Sequence, residues 1–330
     1  MDETTQCSGF FAASEEGGVS CLDQFEASGA LQWFFGNLLE AFYNLFYAFT
    51  HVSSWLDWVT WENTTEDKQS LLRFVYYGAS EEFFFVMLVL LLIVSVIGFL
   101  HNGFMWGIVR GLETFANSVG RTMAWAGLAM VLIQIMIIFL QRVFAVSQIT
   151  IGFGMAFTFD VSWWSESLKF YNALIVALCA TYTFVQGGHV RVDLVYSSVK
   201  YRTKKTIDMV GSLVFMLPSA LIVWIYAWFF FWRHMMVPNI SASDTLEKVI
   251  RKAPAVRWNI ETIGFSPNGF NAYFLFKLLM LTYTAMVMLH AVAFFYRSYL
   301  ERKEGEAAEG KFHDKDVLGD EQAELVAEIH

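Results

Sequence analysis

The sequence predicts an all-α integral membrane protein, and three observations carry that prediction. Of the 330 residues, 56% are hydrophobic and only 16% are charged, whereas soluble domains are about 45–50% apolar and about 25% charged. Five stretches are apolar over the length of about 20 residues that a helix needs to cross a bilayer. Acidic residues concentrate at the two ends of the chain, as expected for solvated tails around a membrane body.

The two tails bound the predicted domain organisation. The first 30 residues hold six acids and no Lys or Arg, and the last 30 hold ten acids against four basic residues. We predict an acidic N-terminal tail over residues 1–30, an N-terminal extension over 31–119, a four-span membrane domain over 120–298 and an acidic C-terminal tail over 299–330. Acidic tails also argue against nucleic-acid binding, which needs a basic surface.

Each predicted span is bounded at one end or both by charged residues or His, which belong in the headgroup region. One span lies in the N-terminal extension and four lie in the membrane domain. The spans cover residues 83–100, 122–141, 170–188, 209–232 and 278–296.

Basic loops predict the orientation of the spans, because Lys and Arg are enriched on the cytoplasmic side. The loop after the third span is the most basic of the chain, with Arg191 and Arg202 among its cations. Placing this loop in the cytoplasm also places the C-terminus there. Residues 233–271 then fall outside although they contain several Lys and Arg, since longer loops follow the rule less strictly.

Two segments outside the spans carry apolar residues. Residues 31–60 predict an amphipathic helix, with apolar residues at steps of three and four and polar residues on the other side. This helix either lies in the membrane interface, which we favour, or spans the membrane with its polar stripe against a partner. Residues 143–159 are short and interrupted by glycines, and they predict a re-entrant or surface-lying connection between the second and third spans.

The three cysteines, Cys7, Cys21 and Cys179, show no spacing typical of a zinc site or a disulfide framework. A bridge between Cys7 and Cys21 requires that end of the chain to lie outside the cytoplasm, and two free thiols are the alternative. The N-terminus shows no basic stretch followed by an apolar one, so no cleavable signal peptide is predicted.

Enzyme signatures such as a P-loop, GxGxxG, HExxH or GxSxG are absent from the sequence. We therefore predict no catalytic residue, no cofactor and no metal. His290 is the one His well inside a predicted span, and a lone His there is more often a packing residue than a haem ligand. His189, Asp193 and Ser197 share one short segment, which rarely gives the geometry of a hydrolytic triad.

Charged residues lie at the ends of the predicted spans. Glu166 and Lys169 are at the mouth of the third span and, three residues apart on a helix, are expected to pair. Ion pathways and substrate sites of secondary transporters use charged groups near the membrane midplane. No acidic residue lies centrally in the five predicted spans. The chain is therefore predicted to be a scaffold rather than a moving carrier.

Several motifs make the sequence similar to a known family. LQRVF, with Arg142, closes the second span, and SWWSE, with Trp163 and Glu166, opens the third. The run QGGHVRVDL and the start of the last span add Gly187, Gly188, His189, Arg191, Asp193 and Lys277. Over residues 120–298 the chain resembles the small integral-membrane subunit, of the DctQ type, of tripartite ATP-independent periplasmic (TRAP) transporters. The N-terminal extension, Val143 and Ser167 depart from the family pattern.

The resemblance implies a role and partners. In such a system a large permease carries the substrate and sodium sites, and a periplasmic binding protein delivers the substrate. This chain is then expected to be a static support, in contact with membrane lipids, for uptake of a small organic solute of the carboxylate type. The motif residues are expected to serve structure and subunit contact. Two other classes stay open: a membrane anchor of a haem or quinone redox complex, which would use His290, and a single-chain transporter.

Overall fold

The computed structural model describes residues 9–10, 20–60, 62–151, 157–187, 196, 198–262 and 269–314. Five helices in these ranges are long and apolar enough to cross a membrane, which confirms the prediction of an all-α membrane protein. They run over Glu81–Leu100, Asn102–Val143, Val161–Val185, Tyr201–Arg233 and Tyr273–Glu304. The described chain forms two compact units, an N-terminal unit (Met1–Leu100 with Trp228–Asn259) and a core unit (His101–Ala227 with Ile260–His330).

The N-terminal unit begins with five helices over residues 20–100, two of which start with a capping box. The helices are α1 (Cys21–Glu26), α2 (Ala30–Thr50), α3 (Ser53–Leu56), α4 (Thr65–Tyr77) and α5 (Glu81–Leu100). Thr64 and Asp67 form a capping box at the start of α4, with two hydrogen bonds of 3.1 Å. The amphipathic helix predicted over residues 31–60 is present as α2 but ends at Thr50, and it packs on α5 through a cluster of Ala41, Phe85 and Val89.

Aromatic rings hold the rest of the N-terminal unit together. The indole N–H of Trp228 donates to the Val75 carbonyl over 2.8 Å, in a fully buried contact. Phe74 on α4 contacts the rings of Trp228 and Trp232 at centroid distances of 5.5 and 6.1 Å. Gly78 permits this approach, because a Cβ there would lie 1.9 Å from the Trp228 ring.

In the segment after residue 233, an acidic side chain pairs with two of the basic ones. Strand β3 (Met236–Val237) pairs antiparallel with strand β4 (Arg257–Trp258). Helix α10 (Leu246–Arg251) lies between the two strands along the chain. Asp244, 8% exposed, contacts the ammonium groups of Lys252 at 2.7 Å and Lys248 at 2.9 Å. Hydrogen bonds from Lys252 and Lys248 hold the pKa of Asp244 well below its usual range.

The core unit contains helices α6 (Asn102–Ile138), α7 (Val161–Val185), α8 (Tyr201–Val210), most of α9 (Leu217–Arg233) and α11 (Tyr273–Glu304). Leu178, Leu279 and Met286 form an apolar cluster between α7 and α11. A π-helical turn over Gly211–Met216 joins α8 to α9 directly before Pro218. Proline has no N–H for the carbonyl four residues earlier, so the regular helical ladder is interrupted at this point.

The connection between α6 and α7 differs from what the sequence indicated. Strand β1 (Gln148–Ile151) pairs antiparallel with strand β2 (Phe157–Asp160), with Gln148 opposite Asp160. The hydroxyls of Thr150 and Thr158 lie 3.2 Å apart across the pair. Alternating β-branched and aromatic residues favour this pairing, whereas we had weighted the two glycines and expected only a re-entrant or surface-lying connection.

Helix ends also differ from the predicted ends, while the span centres agree. The second span, predicted over 122–141, belongs to a helix that begins at Asn102 and ends in a π-helical turn at Phe139–Val143. The third begins at Val161 instead of residue 170. The predicted domain boundary between residues 119 and 120 lies inside α6, and the domain division stays a prediction.

The cysteines fall into two classes. Cys21 is disulfide-bonded, and Cys179 is a free thiol. The state of Cys21 agrees with the bridged alternative of the sequence analysis. Cys7 itself lies outside the described residues, so its identity as the partner stays a prediction.

Candidate interface and structural site

A network of buried charges lies at one end of the core unit. Arg297 on α11 donates from Nε and Nη2 to the two carboxylate oxygens of Glu113 on α6, each over 2.5 Å. Both residues are 5% exposed. A bidentate pair of this kind fixes both distance and orientation, so it locks α6 against α11.

The network extends by one helical turn to a second pair. Glu301, 3% exposed, accepts from Arg297 Nη1 at 3.3 Å and contacts the Lys205 ammonium at 2.7 Å. Lys205 lies on α8, so the network joins α6, α8 and α11. Two acids and two bases alternate within it. Removing Arg297 would leave Glu113 buried without a cation, at a cost of about 3–5 kcal/mol.

Residues 305–314, which we name the C-terminal clasp, fold back over this network. The Lys311 carbonyl accepts from Arg297 Nη1 at 3.1 Å, and the Lys311 ammonium contacts Glu304 at 3.1 Å. The Phe312 ring lies 5.6 Å from the Trp106 ring, and the Arg110 guanidinium lies 4.9 Å above Phe312. The clasp, which follows α11 along the chain, therefore covers the buried charges of the network.

The clasp ends in a polar anchor on α6 and α7. Asp314 accepts two hydrogen bonds of 2.9 Å from Arg121, and its carbonyl accepts from Asn117 at 2.8 Å and from Gln186 at 3.0 Å. His313 Nε2 lies 2.7 Å from the carbonyl of Val185. These contacts join the last described residues to the ends of two spans.

Sequence reasoning missed the network and the clasp. The signals present were the four-residue spacing of Glu113, Asn117 and Arg121 on one helix and that of Arg297 and Glu301 on another. Such spacing places residues on one helix face, but it does not show which faces of the two helices pack against each other. We had assigned the residues after 299 to a solvated tail.

At the opposite end of α7 lie the predicted residues Trp163 and Glu166. Glu166 Oε2 accepts a hydrogen bond of 3.0 Å from the backbone N–H of Phe270, and the Trp163 ring lies 5.5 Å from the Phe270 ring. The sequence had suggested Lys169 as the partner of Glu166. The observed contact ties the start of α7 to the loop before α11.

Lys277 is the predicted residue whose surroundings are most fully defined. It is 3% exposed, its ammonium pairs with Glu261, and it lies 4.8 Å above the Tyr273 ring. Arg142 is exposed in the π-helical turn that ends the second span. Gly187 adopts a φ of 77°, a left-handed conformation that suits glycine at the end of α7.

The most specific predicted motif cannot be placed. Gly188, His189, Arg191 and Asp193 lie outside the described residues, and so does Ser197. Their role in structure or subunit contact stays a prediction.

His290 has the surroundings of a packing residue. It is 8% exposed, and its ring stacks on Phe184 at 5.5 Å and on Phe294 at 6.2 Å. Within the described ranges no group of three or more His, Cys, Asp or Glu is arranged to hold a metal ion.

Comparison with protein families finds one match. Residues 149–246 match the family model described as "Tripartite ATP-independent periplasmic transporters, DctQ component". The matched region runs from β1 through α7, α8 and α9 to the start of α10, which is less than half of the chain. Comparisons with curated proteins and with solved structures gave no match.

Proposed function

We propose, from the premise that this chain is a small membrane subunit of the DctQ type from a TRAP transporter, that it is a static support for the large permease subunit. In this proposal the large permease carries the sodium and substrate sites, and a periplasmic binding protein delivers the solute. The complex lies in the bacterial inner membrane, with the C-terminus of this chain in the cytoplasm. The transported solute is a small organic compound of the carboxylate class.

The observation that carries the proposal is the position of the charged residues. The central stretches 83–100, 122–141, 170–185, 209–232 and 278–296 contain no Asp, Glu, Lys or Arg. Ionisable residues within the spans are the common mark of an ion pathway through a membrane protein. The core unit instead has its buried ion pairs towards the helix ends, where Glu113, Arg297 and Glu301 hold helices to each other.

Rigid helix ends suit a supporting subunit. Exchange of partners among buried ion pairs is costly, because each intermediate arrangement leaves a charge unpaired in a dry environment. The bidentate Arg297 contact and the clasp above it thus favour one arrangement of α6, α8 and α11. A partner subunit that moves during transport can shift its position relative to such a fixed surface.

Long apolar faces are open for lipid and for the permease. On α6, Trp125 is 70% exposed and Leu132 is 57% exposed; on α9, Tyr226 is 72% exposed. Large exposed side chains of this kind need either hydrocarbon or a protein partner. They supply the contact area that assembly with a large permease requires.

The test is assembly and transport with defined components. A tagged copy of this chain is expressed with the large permease, purified and reconstituted, and solute uptake under a sodium gradient is compared with that of each subunit alone. We expect the permease to co-purify and uptake to require both subunits. Uptake by this chain alone, or purification of an active chain without a permease, would contradict the proposal.

A further inference from the structure

We propose that α2 lies in the plane of the membrane, level with the point where α5 enters it, with an aromatic face inserted among lipid acyl chains. The helix lies outside the region that matches the family, which begins at residue 149. The inference therefore goes beyond the proposed function. It concerns an interaction surface whose partner is the lipid of one leaflet.

The face in question is a continuous apolar stripe. Its members follow each other at steps of four, four, three, four and three residues, so they lie on one side of the helix. Half or more of each side chain is exposed. The stripe consists of Leu31 (73%), Phe35 (54%), Leu39 (50%), Phe42 (50%), Phe46 (70%) and Phe49 (74%).

The contacts of α2 fix its level relative to α5. The Phe85 ring lies 5.4 Å from the Trp33 ring and 5.6 Å from the Phe34 ring, and Ala41 shares a cluster with Phe85 and Val89. Residues 33–41 of α2 thus meet the first nine residues of α5. Because α5 is a candidate membrane span that begins at Glu81, Phe85 and Val89 place this contact about 6–12 Å inside the start of the span.

The middle of α2 lies at the polar boundary of the membrane. Burial raises the pKa of Glu40, and the nearby carboxylates of Glu82 and Glu81, in the first turn of α5, raise it further. In a spanning helix of 21 residues, a residue at this position would be about 15 Å from either polar boundary. Ala41, the next residue, instead packs on Phe85 and Val89 near the start of α5, which favours an in-plane helix.

Lipid is the occupant that the surroundings favour. On α5 itself, Phe84, Met87 and Leu90 are 39–45% exposed, so this helix also presents apolar side chains that need hydrocarbon or a protein partner. No Lys or Arg occurs before Lys68. In-plane helices that bind anionic lipids present Lys and Arg on the polar face. Insertion of α2 therefore depends on apolar area and not on attraction to anionic headgroups.

Spin-label depth measurements on the full chain test the proposal. Nitroxides are placed singly at residues 35, 42 and 49 in a Cys179→Ser background, in phosphatidylcholine nanodiscs. Residue 47, about 140° around the helix from residue 42, is the matched control. Collisions with oxygen report hydrocarbon, and collisions with a water-soluble nickel chelate report water. Circular dichroism and gel filtration check that each variant is folded.

We expect residues 35, 42 and 49 to share one depth, with oxygen collisions dominant, and residue 47 to favour the nickel chelate. Depths that change by about 10 Å over each interval of seven residues would show a spanning helix and overturn the proposal. Low collision rates with both reagents at all three positions would show a protein partner and overturn it as well. Phosphatidylglycerol supplies anionic headgroups. If adding it changed the measured depths, insertion of α2 would depend on those headgroups, and the claim that it depends on apolar area would be refuted. None of these results depends on transport, so failure here is distinct from failure of the proposed function.

Discussion

Replacing Arg297 with Met tests the buried charge network directly. The substitution removes two hydrogen bonds of 2.5 Å to Glu113, one of 3.3 Å to Glu301 and one of 3.1 Å to the Lys311 carbonyl. Glu113, 5% exposed, is then left as a buried carboxylate without its cation. Loss of one partner of such a pair costs about 3–5 kcal/mol. At about 2–4 °C per kcal/mol for a domain of this size, the midpoint of thermal unfolding should fall by roughly 6–20 °C.

Two matched variants make the result interpretable. The double variant Glu113→Leu with Arg297→Met replaces the pair by apolar side chains, which is often neutral or stabilising, so it should recover most of the loss. Arg121→Ala removes an ion pair whose side chains are 40% and 47% exposed, and such pairs contribute about 0–1 kcal/mol. Unfolding is followed in detergent by labelling of the partly buried Cys179 thiol. A single variant as stable as Arg121→Ala, or a double variant no better than the single one, would refute the reasoning.

Four further predictions concern other residues. Gly78→Ala should strongly destabilise the N-terminal unit, because the new Cβ would lie 1.9 Å from the Trp228 ring; limited proteolysis measures this, and wild-type resistance would contradict it. Asp244→Asn should lower stability at pH 7, and because the folded pKa of Asp244 is depressed, the difference from wild type should shrink as pH falls below about 4; a difference independent of pH would be evidence against the ion pairs. Glu166→Gln should leave the pH profile of uptake unchanged, since the amide oxygen can still accept from the backbone N–H; a shifted optimum at normal complex abundance would mean that Glu166 titrates during transport. Arg191→Ala should reduce the amount of assembled complex on native gels without changing substrate preference, and the reverse pattern would contradict a structural role.

The centres of the spans were predictable because they depend on local composition alone. Stretches such as 83–100 and 278–296 contain no Asp, Glu, Lys or Arg, and hydrocarbon is the medium that accepts them. The start of α6 was not predictable in the same way. Its first six turns contain Arg110, Glu113 and Arg121, which resemble a polar loop until their distant partners are known.

The candidate site was only partly predictable for a related reason. Trp163, Glu166 and Lys277 were identified from motifs, and the structure places each at the start of a span. Their partners are a backbone N–H at Phe270 and a carboxylate at Glu261, which lie in loops without a periodic signal. The strand pair before α7 was missed because the glycines between the two strands outweighed the alternation of aromatic and polar residues in Phe157–Asp160.

The separation of Glu113 from Arg297 along the chain affects biosynthesis. The two residues are 184 positions apart, so at about 5–20 residues per second the ribosome adds the guanidinium roughly 10–40 s after the carboxylate. During that interval Glu113 is expected to stay hydrated at the edge of the translocon. Residues 305–314 emerge later still, so the polar end of the bundle closes only when synthesis is almost complete. A nascent chain arrested before Arg297 would expose Glu113, and a membrane protease could recognise this as the mark of an unfinished subunit.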